Sequence, residues 1–119
     1  MSTSHLETPV LLPEPAPEDI ALESVFHALG DPVRLEIVRK LNATDEAKAC
    51  GTFDLPVGKS TASHHFKVLR EAGVAGFHDE GTRRYHFLRR DDLDARFPGL
   101  LDTVLRAAEQ PAGVRRLGS

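Results

Sequence analysis

Cysteine is nearly absent. Cys50 stands alone among 119 residues, which rules out an intramolecular disulfide and makes a reducing cytoplasm the simplest compartment. Long apolar runs are also missing: nothing approaches the roughly 18 apolar residues of a membrane span. The shares of hydrophobic (40%) and charged (28%) residues are ordinary for a globular chain. The opening MSTSHLETPVLLPEPAPED holds no Lys or Arg, so no secretory leader with a basic start is expected. Residues 1–17 lack sustained periodicity and carry four of the eight prolines, the pattern of a flexible arm. Single cores commonly need about 100 to 150 residues, so the remainder is expected to form one domain over residues 18–109, with a frayed tail from 110 to 119.

A positive excess is lacking too, for the net charge is −3. Its distribution is uneven. Between Lys59 and Arg90 seven basic residues (Lys59, Lys67, Arg70, Arg83, Arg84, Arg89 and Arg90) face three acids (Glu71, Asp79 and Glu80), a block of +4 that leaves −7 elsewhere. Binding responds to the field at one face, so this block fits a nucleic-acid footprint, with a solvated charged face as the plainer alternative.

From Ile20 a helical period sets in. Leu22, Val25, Phe26 and Leu29 fall at i, i+3, i+4 and i+7. Gly30 is placed for a left-handed stop, Asp31 for an N-cap and Pro32 for a first helical position. A second helix then presents Val33, Ile37, Val38 and Leu41 inward, with Arg34, Glu36, Arg39 and Lys40 mostly on the other side. Gly51, Pro56 and Gly58 discourage helix in the next stretch, where one short helix over residues 44–50, capped by Thr44, is expected.

KSTASHHFKVLREAG follows, with a helix expected over residues 60–72. At roughly 100° per residue, Ala62, His65, Phe66, Leu69 and Ala72 point one way, while Ser60, Ser63, His64, Lys67, Arg70 and Glu71 point the other. Neighbouring residues on a helix diverge, so His64 and His65 do not act as a pair. Gly73 ends this helix. VAGFHDEGTRRYHFLRR then alternates Tyr85 and Phe87 with Arg84, His86 and Leu88 and reads as a β-hairpin, with Gly81 supplying a positive φ and Arg83 and Arg84 beside the tip. Asp91 or Asp92 can cap a last helical segment carrying Leu93, Phe97, Leu100, Leu101, Val104 and Leu105, which Pro98 bends or restarts.

This order describes a mainly α protein with a small hairpin, a winged helix-turn-helix. An α-helix fills the DNA major groove, and the 60–72 helix offers hydroxyl, imidazole and ammonium groups there. Lys59, Lys67 and Arg70 add charge, while Arg83 and Arg84 can reach the backbone or the minor groove.

Three stretches, ALGDPVRLEIVRKL, STASHHFKVLREAGV and EGTRRYHFL, resemble the ArsR/SmtB family of bacterial transcriptional regulators over about residues 20–108. The resemblance implies a recognition helix contacting double-stranded DNA through Ser60, Thr61, Ser63, His64 and Lys67, and a wing over residues 75–88 contacting it through Arg83 and Arg84. It also implies a symmetric homodimer through the first and last helices, on the apolar residues Leu22, Val25, Phe26, Leu29, Leu100, Leu101, Val104 and Leu105, meeting a pseudo-palindromic operator. Two departures stand out. CGTFDLPVGK replaces a regular helix of the family, and neither a Cys-x-Cys before recognition nor a histidine on the last helix is present.

Four other readings are open to these residues. A metal sensor for nickel, zinc or copper would have to draw its ligands from Cys50, His27, His5 or the wing histidines His78 and His86, and no metal site or cofactor is expected. An enzyme is not expected either, because Ser63 and His64 diverge and no acid is spaced to orient the imidazole. A pure protein-interaction module leaves the basic block unused, whereas a regulator controlled by a protein partner, without an effector site of its own, keeps it in use.

Overall fold

The structure, a computed structural model, describes residues 14–44, 48–49 and 55–110. The arm up to residue 13, Cys50 and the tail from residue 111 lie outside the described residues. A 3-10 turn, Pro17–Asp19, leads into α1, Leu22–Leu29. Val25, Ala28 and Leu29 of α1 are buried, whereas Leu22 and Phe26 remain 41% and 52% exposed, so the predicted apolar stripe divides between an inner and an outer side. Gly30 closes the helix at φ −84°, not in the expected left-handed conformation.

Asp31 caps α2, Pro32–Asn42, accepting hydrogen bonds from the Val33 and Arg34 amides at 2.9 and 3.1 Å. Such a cap satisfies orphan donors of the first turn and contributes about 1 kcal/mol. Ile37, Val38 and Leu41 enter the core as expected. Arg34 does not lie on the solvent side. It is 8% exposed, and its guanidinium donates to the Ala28 carbonyl at 2.7 Å and the His27 carbonyl at 3.2 Å, closing the C-terminal end of α1. The wheel of α2 misses this because those acceptors belong to another helix.

The expected short helix over residues 44–50 is replaced, where described, by a two-residue strand β1, Lys48–Ala49. It pairs antiparallel with the hairpin, Lys48 opposite His86 and Ala49 opposite Tyr85. A partner strand supplies the ladder that this glycine- and proline-flanked segment could not supply as a helix. Next comes α3, Lys59–Glu71, whose inward residues His65, Phe66 and Leu69 are all buried. Gly73 turns the chain at φ 85°, and a Cβ there would stand 2.7 Å from the Ile20 side chain, so both conformation and space require glycine.

The hairpin comprises β2, Ala75–Glu80, and β3, Arg83–Leu88, joined through Gly81 at φ 64° as expected. The sheet order is β1-β3-β2, which leaves β2 at an edge. Part of the predicted arm protects that edge: the Phe77 amide donates to the Glu14 carboxylate at 3.1 Å, and Arg89 donates to the Pro15 carbonyl at 2.8 Å. Glu14 and Pro15, at the end of the stretch expected as an arm, are therefore tied to the body.

The last segment restarts around Pro98 as α4, Arg90–Arg96, and α5, Leu100–Ala108, with Gly99 between them at φ 83°. Arg89 occupies the N-cap position of α4, and neither Asp91 nor Asp92 caps it; Asp92 instead pairs with Arg89 at 3.0 Å. Phe66, Ile20, Ile37, Leu69, Val25, Val38 and Val74 form the fully buried centre. Of the residues expected at a dimer interface, Val25, Leu29, Leu101 and Leu105 lie in this chain's own core. Leu22 and Phe26 stay exposed, and Leu100 and Val104 are partly buried.

Candidate nucleic-acid interface

The anchoring of α3 begins at His65. Arg34 faces the His65 Nδ1 at 3.1 Å, and because a guanidinium only donates, Nδ1 is the acceptor. The Asp31 carboxylate lies 3.8 Å from the same nitrogen. The inward histidine thus takes its partners from the side chains of α2 and its cap, where sequence pattern alone gives only a core-facing ring. His64 projects to solvent, its ring centre 5.8 Å from that of His65 and tilted by 54°.

Lys59, Ser60, Thr61, Ser63, His64 and Lys67 are all exposed on the outer side of α3. Lys67 has an acidic neighbour one turn on, Glu71, at 3.8 Å. This surface presents hydroxyl, imidazole and ammonium groups on a helix braced from behind by Phe66 and Leu69. Arg70 departs from the expected pattern. It shares the Ser63 line on the helical wheel, yet it is only 8% exposed because the hairpin folds over this end of α3 and places the guanidinium 4.8 Å from the Phe77 ring centre. Burial first, and the nearby Arg84 second, pull its pKa below the ordinary arginine value.

Arg83 and Arg84 are exposed on β3, but Arg84 is engaged. Its Nε donates to Asp79 at 2.9 Å, the residue directly across the hairpin, and its guanidinium lies 4.0 Å from the Phe77 ring centre. That hydrogen bond raises the Arg84 pKa; the same bond outweighs desolvation to lower that of Asp79. Asp79 is a site residue that sequence reasoning missed, although a turn at Gly81 and Thr82 fixes a register that sets it opposite Arg84.

His78 and His86 do not converge. His86 is 3% exposed and stacks on Phe66 with ring centres 4.1 Å apart, so the hairpin face that meets α3 is that of His86. His78 lies on the other face, stacked on Tyr85 at 5.5 Å and paired with Glu80 at 3.1 Å. Burial first, then the charges of Arg70 and Arg84, push the His86 pKa down to about 4. Among the described residues no group of three or more His, Cys, Asp or Glu could hold a metal ion; Cys50 and His5 lie outside them. Nor does any described helix have the length and apolarity to cross a membrane.

Comparison with known proteins converges on the same elements. The family described as "Bacterial regulatory protein, arsR family" matches residues 31–75, from the Asp31 cap through α2 and α3 to the first residue of β2. The uncharacterized HTH-type (helix-turn-helix) transcriptional regulator YceK of Bacillus subtilis is 36% identical over 89 residues, which are 73% of this chain and 89% of YceK. The uncharacterized HTH-type transcriptional regulator MJ1325 of Methanocaldococcus jannaschii is 34% identical over 68 residues, 56% of this chain and 76% of MJ1325. A homolog of the cadmium resistance transcriptional regulatory protein CadC from Staphylococcus aureus is 34% identical over 73 residues, 60% of this chain and 59% of the homolog. Agreement over the capped helix pair, extended by a relative aligned along most of its length, establishes that the chain belongs to the arsR family of DNA-binding bacterial transcriptional regulators.

Proposed function

We propose that this chain is a sequence-specific regulator that lays α3 in the major groove and sets its hairpin against the backbone or minor groove. The observation that carries this reading is the outer side of α3, where six polar or basic side chains from Lys59 to Lys67 are exposed together while His65, Phe66 and Leu69 are fixed in the core. Ser60, Thr61, Ser63 and His64 are offered to base edges and phosphates, Lys59 and Lys67 to phosphates, and Arg83 and Arg84 to the neighbouring backbone. Arg70 supports the wing from below and contributes charge from a buried position. Residues 18–109 act as one DNA-binding and dimerisation domain in the cytoplasm. Two copies associate through the apolar remainder of α1 and α5, Leu22, Phe26, Leu100 and Val104, and meet a pseudo-palindromic operator.

Fluorescence anisotropy with the DNA upstream of its own gene tests the reading. Saturable binding is expected, tighter than to scrambled DNA and falling steeply with salt as phosphate contacts release counterions. Binding that ignores both salt and sequence, or none at all on any candidate operator, overturns it. The likeness to a cadmium resistance regulator favours one second reading, a regulator whose DNA binding responds to a metal. Its ligands would draw on residues outside the described ones, such as Cys50 and His5. Equilibrium dialysis with zinc, nickel, copper and cadmium decides it, binding weaker than about millimolar counting against it.

A further inference from the structure

Between α3 and the hairpin lies an open cleft of about 550 Å³. Lys67, Arg70 and Arg84 line it, with the hydroxyls of Ser63 and Thr82 and the single carboxylate of Asp79. Among the lining residues three cations face one acid, while Glu71, outside the lining, lies 3.8 Å from Lys67. Arg70 is more than nine-tenths buried, and its Nε has no hydrogen-bond partner among the described residues. A buried donor left in that state costs about 1–3 kcal/mol, more when it carries charge. Arg70 and Arg84 also approach the same Phe77 ring, at 4.8 and 4.0 Å, so two like charges share one aromatic neighbour and act on each other. Asp79 offsets Arg84 through hydrogen bonds, and Glu14 and Glu71 act on Arg70 by charge alone.

We infer that this cleft is an oxyanion site fitted to one phosphate group, held by Arg70 and Arg84 with Lys67, Ser63 and Thr82 around it. A phosphate supplies several acceptor oxygens, enough to satisfy the Arg70 donor and to bridge both guanidinium groups, and paired charge-assisted bonds are the strong ones. Asp79 already occupies the Arg84 end with a carboxylate. Its side chain is 54% exposed, so it can yield that position to an incoming anion and swing into solvent. Two sources offer the same chemistry, a phosphate of the DNA backbone or a small phosphorylated solute that would compete with DNA. The first source rests on the DNA reading above; the second does not.

The test uses the full chain labelled with nitrogen-15, following the side-chain Nε–H signals of Arg70 and Arg84 during titration with inorganic phosphate against chloride of equal ionic strength. Phosphate is expected to move both signals to saturation while chloride leaves them in place. Asp79→Asn, an exposed change, is expected to tighten phosphate binding about threefold or more by removing the resident competitor, and Arg84→Gln to weaken it about tenfold. Adding a DNA duplex that binds the chain separates the sources: release of the phosphate assigns the site to the backbone, and retention assigns it to a free solute. If neither phosphate nor a bound duplex moves the two signals, or chloride moves them equally, or Asp79→Asn weakens phosphate binding, the oxyanion site is wrong whatever the DNA reading's standing. If phosphate binds while no duplex does, the site stands and the DNA reading falls.

Discussion

Arg34 shows what single residues do in this fold. One guanidinium satisfies two carbonyls at the end of α1 and faces the ring of His65 on α3, so the pose of α3 depends on a charge that sequence pattern places on the surface. Replacing it with Met keeps much of the volume but strands those carbonyls. Arg34→Met is expected to cost about 2–4 kcal/mol in urea unfolding, and a loss under about 0.5 kcal/mol would contradict the role given to this network. His86 gives a pH signature. Its native pKa is pushed down to about 4 from an ordinary 6.5, so between these values the unfolded chain binds the extra proton and stability falls as pH falls. The loss attributable to this group is about 3 kcal/mol across that window. His86→Phe should flatten the dependence between about pH 6.5 and 4.5, and an unchanged pH profile of the unfolding midpoint would show that His86 is not its source.

At the scale of elements, the sequence is most legible where each segment's own geometry decides the outcome. The capped start of α2 at Asp31 and Pro32 needs only local chemistry, and the division of α3 into an inner His65 side and an outer His64 side follows from its period. What could not be read depends on a distant partner. β1 exists because β3 runs beside it, and Arg70 is buried because the hairpin lies over the end of α3, contacts that no window of sequence contains. The turns show the same contrast. Gly73 and Gly81 both carry positive φ, but only at Gly73 would a Cβ also strike a neighbour, the side chain of Ile20. Gly81→Ala is expected to cost about 1 kcal/mol and Gly73→Ala about 2–3 kcal/mol. Equal thermal shifts for the two variants would contradict the close packing of Ile20 on Gly73.

For the whole molecule, the apolar residues of the terminal helices divide between core and surface in a way that their periodicity could not separate. Val25, Leu29, Leu101 and Leu105 complete the chain's own core, and the smaller exposed surface around Leu22 and Phe26 is the one proposed to meet a second copy. Phe26→Glu changes a half-exposed side chain and should spare folding while shifting sedimentation from dimer toward monomer; a dimer unaffected by it would move the interface elsewhere.

In the proposed function the outer side of α3 reads base sequence while the hairpin arginines hold the backbone. Its most direct measurement is the ratio of affinities for operator and random DNA in His64→Ala and Arg84→Ala, at one fixed salt concentration. His64→Ala is expected to lower the ratio, while Arg84→Ala weakens both affinities alike and leaves the ratio unchanged. A ratio unaffected by His64→Ala, or reduced equally by both changes, would contradict the account.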